Sequence, residues 1–349
     1  MATLPTKAGA VTLTDFAKSI DPDGRVAPVI ELLNQNNAAL QDILWKEGNL
    51  PTGHQTTVRT GLPAGTWRKL YQGVAPQKSL RAQITDTVGI LEARSEIDKA
   101  VAELNGNTAA FRMSESEAFI EGLSHDLIDT LFYGDTAVNP ERFHGLAARY
   151  NAIAGGAPIS ENVLNAGGVG SDNTSIWLVV WGENTVCGIY PKGSTAGLDH
   201  EDLGLIDAFD SNNNRYRAYA DRFEWKAGLS VRDWRYVVRI ANIDVSDLKA
   251  GTGTQAFNAS TNIIDMMIRA MAHIPNIGKG RAVFYGNRNI TTALPIMAKQ
   301  SASNVLAIQP GVQQFGAVQP GFAGAGDLSF LGVPVRVVDR LLNTEAAIV

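Results

Sequence analysis

Residues 48–85, GNLPTGHQTTVRTGLPAGTWRKLYQGVAPQKSLRAQIT, carry five bases (Arg59, Arg68, Lys69, Lys78 and Arg81) and no acid. The stretch alternates like β-strand, turns at glycine and proline, and has few aliphatic side chains to bury. VRTG and TWRKL read as strand, and ITDTVGILEARSEI continues as a longer one, with Thr87, Val88, Ile90 and Leu91 suited to it. A basic, weakly apolar hairpin of this length cannot be held by a core of its own. It needs a surface elsewhere.

The adjoining segment has the opposite charge. Residues 92–141 hold eleven acids against three bases (Arg94, Lys99 and Arg112). Within it, 107–133 predicts a long helix. Phe119, Leu123, Leu127 and Leu131 recur every four residues, with Ile120, Ile128 and Phe132 beside them. Ser114 and Glu117 have capping-box spacing, Asn107 or Thr108 offers an earlier start, and Gly134 a stop. The helix would span roughly 30–40 Å at about 1.5 Å per residue. Its polar face carries Glu115, Glu117, Glu121, Asp126 and Asp129. The expected contact sets Arg59, Trp67, Arg68, Lys69, Lys78 and Arg81 of one copy against those five acids of another. Contacts of this head-to-tail kind close into rings.

The rest of the chain sorts into further segments. Thr14 can cap a short helix, DFAKSI, in a polar tail, and Val26 to Trp45 has roughly helical spacing interrupted by NQNN. Residues 155–173 read as a glycine-rich loop, TSIWLVVWG and TVCGIYPKG as buried strands, and 194–214 as a long polar insertion. Two long strands are expected in 216–244 around a turn at Lys226 to Gly228. The last hundred residues alternate helix and strand: a helix capped by Asn258 or Ser260, GRAVFYG, a helix containing Pro295, SNVLAIQ, a glycine-rich loop, and a final strand FLGVPVRVVDRLL. The fold class is α+β.

With 349 residues, 45% of them hydrophobic, the chain can bury a large core in two or three domains. A net charge of −5 gives it no overall basic footprint for nucleic acid. One cysteine, Cys187, excludes internal disulfides and multi-cysteine metal sites. No apolar run reaches membrane-spanning length and the first residues do not read as a secretory signal, so a cytoplasmic protein without membrane contact is expected.

Catalytic patterns are missing. His54, His125, His144, His200 and His273 have no metal-ligand spacing. The cluster Asp199–His200–Glu201–Asp202 lacks the EF-hand order and reads as a solvated loop. GGVGSDN (167–173) precedes a strand where a phosphate loop needs a helix, and GKGR (278–281) lacks the pattern too. There is no nucleophile elbow, and Cys187 falls in an expected buried strand. No enzyme activity and no cofactor are expected.

The stretches LWKEGNLPTGHQTTVRTGLP (44–63), LNGNTAAFR (104–112), TLFYGD (130–135), GSDNTSIWLVVWGENTVCGIYPKG (170–193) and LSVRDWRYVVRIANID (229–244) resemble the major capsid proteins of tailed bacteriophages, of the Hong Kong 97 type of fold. The resemblance implies an N-terminal arm (1–49), an extension loop (50–92), a peripheral domain (93–250) with a spine helix at about 107–133, and an axial domain with a terminal strand (251–349). It implies hexamers and pentamers of an icosahedral virion shell around double-stranded DNA, held by loose non-specific contact. Scaffold, portal and decoration proteins would be partners, and assembly would take place in the bacterial cytoplasm. Lys69 or Lys78 would be the donor for an intersubunit crosslink, but no acceptor is identified and none is expected. An encapsulin-like compartment shell is the alternative, and a module that stacks nucleic-acid bases on Trp67 and Tyr71 a second.

Overall fold

Both faces of Asn173–Trp181 are buried along all nine residues, as the continuous apolar run Ile176–Trp181 requires, and the polar Asn173, Thr174 and Ser175 are buried with it. The computed structural model describes residues 38–104, 108–153, 155–250, 262–300 and 328–349. Its strands are β1 (Trp45–Glu47), β2 (Gly53–Gly61), β3 (Leu80–Asp98), β4 (Val163–Asn165), β5 (Asn173–Trp181), β6 (Val186–Tyr190), β7 (Leu198–Phe209), β8 (Arg215–Val231), β9 (Val237–Asp244), β10 (Arg281–Gly286), β11 (Leu328–Phe330) and β12 (Val333–Val337). The longer helices are α1 (Thr108–Tyr133), α2 (Ile263–His273) and α3 (Arg288–Gln300). The chain is α+β and divides into two compact units.

The larger unit comprises residues 38–89, 130–196 and 227–349. Its sheet runs β11-β12-β10-β5-β9-β4, with β5 antiparallel to both neighbours: Leu178 lies opposite Phe284 on one side and Val238 on the other. Strands from both sides of residue 250 therefore share one sheet. Ile176, Leu178 and Val180 face a core built with Ile263, Met267 and Ala270 of α2 and Ile290, Leu294 and Met297 of α3. The alternate residue Trp177 packs with Phe132 at 6.1 Å and Tyr150 at 6.2 Å. β6 pairs parallel with β1 and antiparallel with the end of β8, where Cys187 lies opposite Ser230. The thiol is buried, and burial pushes its pKa up.

The smaller unit comprises Ile90–Asp129 and Gly197–Lys226 among the described residues. Here β7 and β8 pair antiparallel from Leu198↔Trp225 to Phe209↔Arg215. The Asp210 carboxylate accepts from the backbone N–H groups of Asn212 and Asn214 and closes the turn. Phe119 of α1 stacks on Phe223 at 5.9 Å.

Several expectations are corrected. The 194–214 segment is mostly β7, not an insertion loop; its backbone hydrogen bonds go to β8, although its side chains are largely exposed. The chain does not turn at 226–228. β8 runs through it, and the turn comes at 232–236, where Asp233 caps a short 3-10 helix. Gly228 serves close packing instead: a Cβ there would lie 2.6 Å from the Thr87 carbonyl oxygen. Gly228→Val is accordingly expected to destabilise the protein by about 1–3 kcal/mol, measurable as a lower urea midpoint at unchanged slope.

TWRKL (66–70) is not strand; residues 62–79 have no strand partner, and a strand without a ladder leaves its backbone groups unpaired. Ser114 and Glu117 sit inside α1, which begins at Thr108, so they form no cap. The 155–173 loop contains a 3-10 turn (Pro158–Asn162) and β4. The final strand is a hairpin of β11 and β12, turning through Leu331 and Gly332 at positive φ. Asn262 caps α2, not Asn258 or Ser260. Among the described residues before β1, Ala39–Asp42 is helical, so the expected helix does not extend to Trp45. The remainder of 1–37, the SNVLAIQ strand and the glycine-rich loop before residue 328 lie outside the described residues.

Candidate intersubunit surface

β2 and β3 form the hairpin, paired from Gly53↔Thr87 to Arg59↔Arg81. Side chains alternate across it. His54, Thr56 and Val58 are half-buried, whereas Gln55, Thr57 and Arg59 are exposed. The base is fixed firmly. The Asn49 side chain brackets the Gln55 backbone, accepting at 2.7 Å and donating at 2.8 Å. Buried Asp86 accepts from Arg149 at 2.8 Å, and Arg232 donates to His54 Nε2 at 2.9 Å. Burial, and then Arg232, lower the His54 pKa.

The far end is different. Arg59 and Arg81 stand directly opposite each other, a like-charge pair that weakens an isolated hairpin. Beyond them, Lys69 to Gln72 form a turn in which the Gln72 N–H donates to the Lys69 carbonyl and the Gln72 side chain accepts from the Lys69 N–H. Tyr71 takes φ 63°, an uncommon conformation for an aromatic residue. Trp67, Leu70 and Tyr71 are 101%, 87% and 103% exposed. Arg59, Arg68, Lys69, Lys78 and Arg81 are exposed as well, and none forms an ion pair among the described residues. The hairpin thus displays apolar and cationic groups together.

The acids lie on α1. Glu117 and Asp126 are exposed, while Glu115, Glu121 and Asp129 are half-buried. Glu121 bonds His125 at 2.8 Å, one turn along. Of the apolar positions expected on the other face, Leu123, Leu127, Ile128, Leu131 and Phe132 are buried, Phe119 is half-buried and Ile120 is exposed.

Two charged clusters had no local sequence signal. In the smaller unit, Arg112 donates to Asp202 at 2.6 Å and to buried Asp221 at 2.8 Å, and its guanidinium lies 5.2 Å from the Tyr219 ring centre. The bond from Arg112 holds the Asp202 carboxyl below its ordinary range. In the larger unit, Arg239 and Glu345 pair at 2.8 Å, both buried, and Tyr133 and Ser175 also donate to Glu345. Asp199–His200–Glu201–Asp202 lies on β7, with His200 bonded to Asp221 at 3.2 Å. Among the described residues no group of three or more ligating side chains could hold a metal, and no helix is long and apolar enough to cross a membrane.

An α+β fold with a long helix and a projecting basic hairpin is that of a shell-forming phage capsid protein. Residues 21–349 match the family described as major capsid protein GP7, and the chain belongs to that family. A chain in a near-atomic cryo-EM structure of bacteriophage Epsilon15 is 32% identical, covers 100% of this chain and 99% of its own, and has a TM-score of 0.74. The bacteriophage JBD30 capsid matches at 10% identity over 89% of this chain and 92% of that one, with a TM-score of 0.49. The SrpI encapsulin complex of Synechococcus elongatus PCC 7942 matches at 10% identity over 64% and 95%, with a TM-score of 0.40. No curated protein matches. Membership of a viral capsid family makes the encapsulin alternative the weaker reading. The protein is a structural component of the virion capsid and assembles with itself into a shell.

Proposed function

We propose that the protein builds an icosahedral shell around double-stranded phage DNA, and that the β2–β3 hairpin of each copy lies across α1 of a neighbour. The observation that carries this is the hairpin's far end. Arg59 faces Arg81, and Trp67, Leu70 and Tyr71 are solvent-exposed, so the element has unmet charge and unburied apolar surface. Arg59, Arg68, Lys69, Lys78 and Arg81 would meet Glu115, Glu117, Glu121, Asp126 and Asp129 of the next copy. Because the two patches differ, the contact is heterologous and closes hexamers and pentamers.

In this reading residues 1–49 are the arm, 50–92 the extension loop, 93–250 the peripheral domain and 251–349 the axial domain. Scaffold, portal and decoration proteins complete the particle, which assembles in the host cytoplasm. A net charge of −5 suits a container, since strong phosphate contacts would hinder packing and release of DNA.

Each exposed ion pair contributes only about 0–1 kcal/mol, so the contact depends on several pairs in every copy. Screening shortens from about 10 Å at 0.1 M salt to about 3 Å at 1 M. Purified protein is therefore expected to form closed shells by negative-stain microscopy, at a rate that falls as salt rises. Isolated monomers at low salt, or kinetics indifferent to salt, would count against the proposal.

A further inference from the structure

The smaller unit has a groove of about 320 Å³, floored by Leu91 and Ala93 of β3 and by Ala118, Phe119 and Leu123 of α1. Glu92 and Asp126 line it too: Glu92 is bonded to Arg222 of the same chain at 3.0 Å, and Asp126 adds an acid to the rim. Gly122 completes the floor. It lies inside the helix and is exposed, and a Cβ added to it would meet nothing within 4 Å. A mid-helix glycine destabilises a helix relative to alanine, and among the described residues nothing lies close enough to require one at 122. An exposed glycine leaves the helix backbone open to the approach of another surface.

Glu115, Ala118, Gly122, Asp126 and Asp129 recur at three- and four-residue intervals and so lie along one stripe of α1. Acids thus flank the glycine on both sides. At about 320 Å³ the groove is large enough to take one aromatic side chain. The hairpin turn carries an exposed Trp67 with Arg68 and Lys69 directly after it, which matches an apolar floor with an anionic rim. Tryptophan and arginine are also the residues that most often anchor an interface.

We propose that Trp67 of a second copy seats in this groove against Gly122, while Arg68 and Lys69 reach the carboxylates around it. The inference rests on the reading that the hairpin crosses α1 of a neighbour, and it fixes where on α1 the hairpin is anchored.

Gly122→Leu fills the groove from inside, and Trp67→Ala removes its occupant. Each is expected to lower shell yield at least tenfold, measured by sedimentation and microscopy, with the subunit's melting temperature unchanged or raised. In the double variant Thr66→Cys/Ala118→Cys, which keeps both Trp67 and Gly122, a short bismaleimide is expected to join copies in assembled shells into a covalent ladder, which neither single variant gives. This arm decides the matter if Gly122→Leu misfolds. Normal shells from folded Gly122→Leu, or shells of the double variant without a ladder, overturn the anchor. If charge reversal of the hairpin blocks assembly while both groove variants assemble normally, the anchor alone falls. If all three assemble normally, the hairpin reading falls with it.

Discussion

Reversing Arg59, Arg68 and Lys69 to glutamate together is expected to abolish shells and leave folded subunits in solution. The three side chains are exposed and form no ion pair among the described residues, so their loss costs the isolated fold little, within about 0.5 kcal/mol each. Glutamate at 59 would even face Arg81 and replace repulsion with attraction. Between copies the effect is opposite. Up to about 1 kcal/mol of attraction per pair is lost and repulsion of similar size takes its place, so each contact weakens by up to about 6 kcal/mol. Every copy in a ring makes the contact, and the loss multiplies around it. Thermal melting of the variant should match the parent while micrographs show no particles. Particles of ordinary number and size would show that the hairpin's charge is incidental.

Glu345→Leu is expected to be the most damaging single change to the fold. Its carboxylate pairs with Arg239, whose Nε donates to Ser175 at 3.0 Å and whose Nη1 donates to the Tyr150 carbonyl at 2.9 Å. The guanidinium also lies 4.9 Å from the Trp177 ring centre. Removing the acid leaves a buried cation without a counter-charge, at about 3–5 kcal/mol. Tyr133 loses its acceptor as well; burial and Glu345 push its phenol well above the ordinary range, so it remains a donor at all physiological pH. Adding Arg239→Met to Glu345→Leu should recover most of the loss, because an apolar pair of similar volume needs no charge partner. Urea unfolding of the single and double variants measures both. A loss below about 1 kcal/mol for Glu345→Leu would mean that water reaches Arg239.

Legibility in the sequence followed the source of each element's stability. α1, β5, β6 and β10 were visible because they bury side chains, and burial writes a period of 3.6 or a continuous apolar run. β7 was not, since LDHEDLGLIDAF is mostly exposed and is held by backbone pairing with β8, which leaves little pattern in the side chains. TWRKL misled in the opposite direction: it has the alternation of a strand and no partner to pair with. Gly228 reads as a turn residue because a glycine required for close approach looks identical in one dimension.

The site divided likewise. Charge segregation between the hairpin and α1 stands in plain view in the sequence. The groove at Gly122 requires β3 and α1 to be adjacent, and the Arg239–Glu345 pair joins residues 106 positions apart, so neither leaves a local trace.

The last residues of the chain are stitched into the larger unit: Ile348 exchanges two hydrogen bonds with the Asn242 side chain, and the Val349 carbonyl accepts from Ile153. Together with Glu345 they make the closing of this unit a long-range event: the guanidinium of Arg239 meets its anion only when a segment 106 positions further along has docked beside β5 and β9. Loop closure must come before the contacts that reward it, so this unit is expected to fold slowly and as a whole.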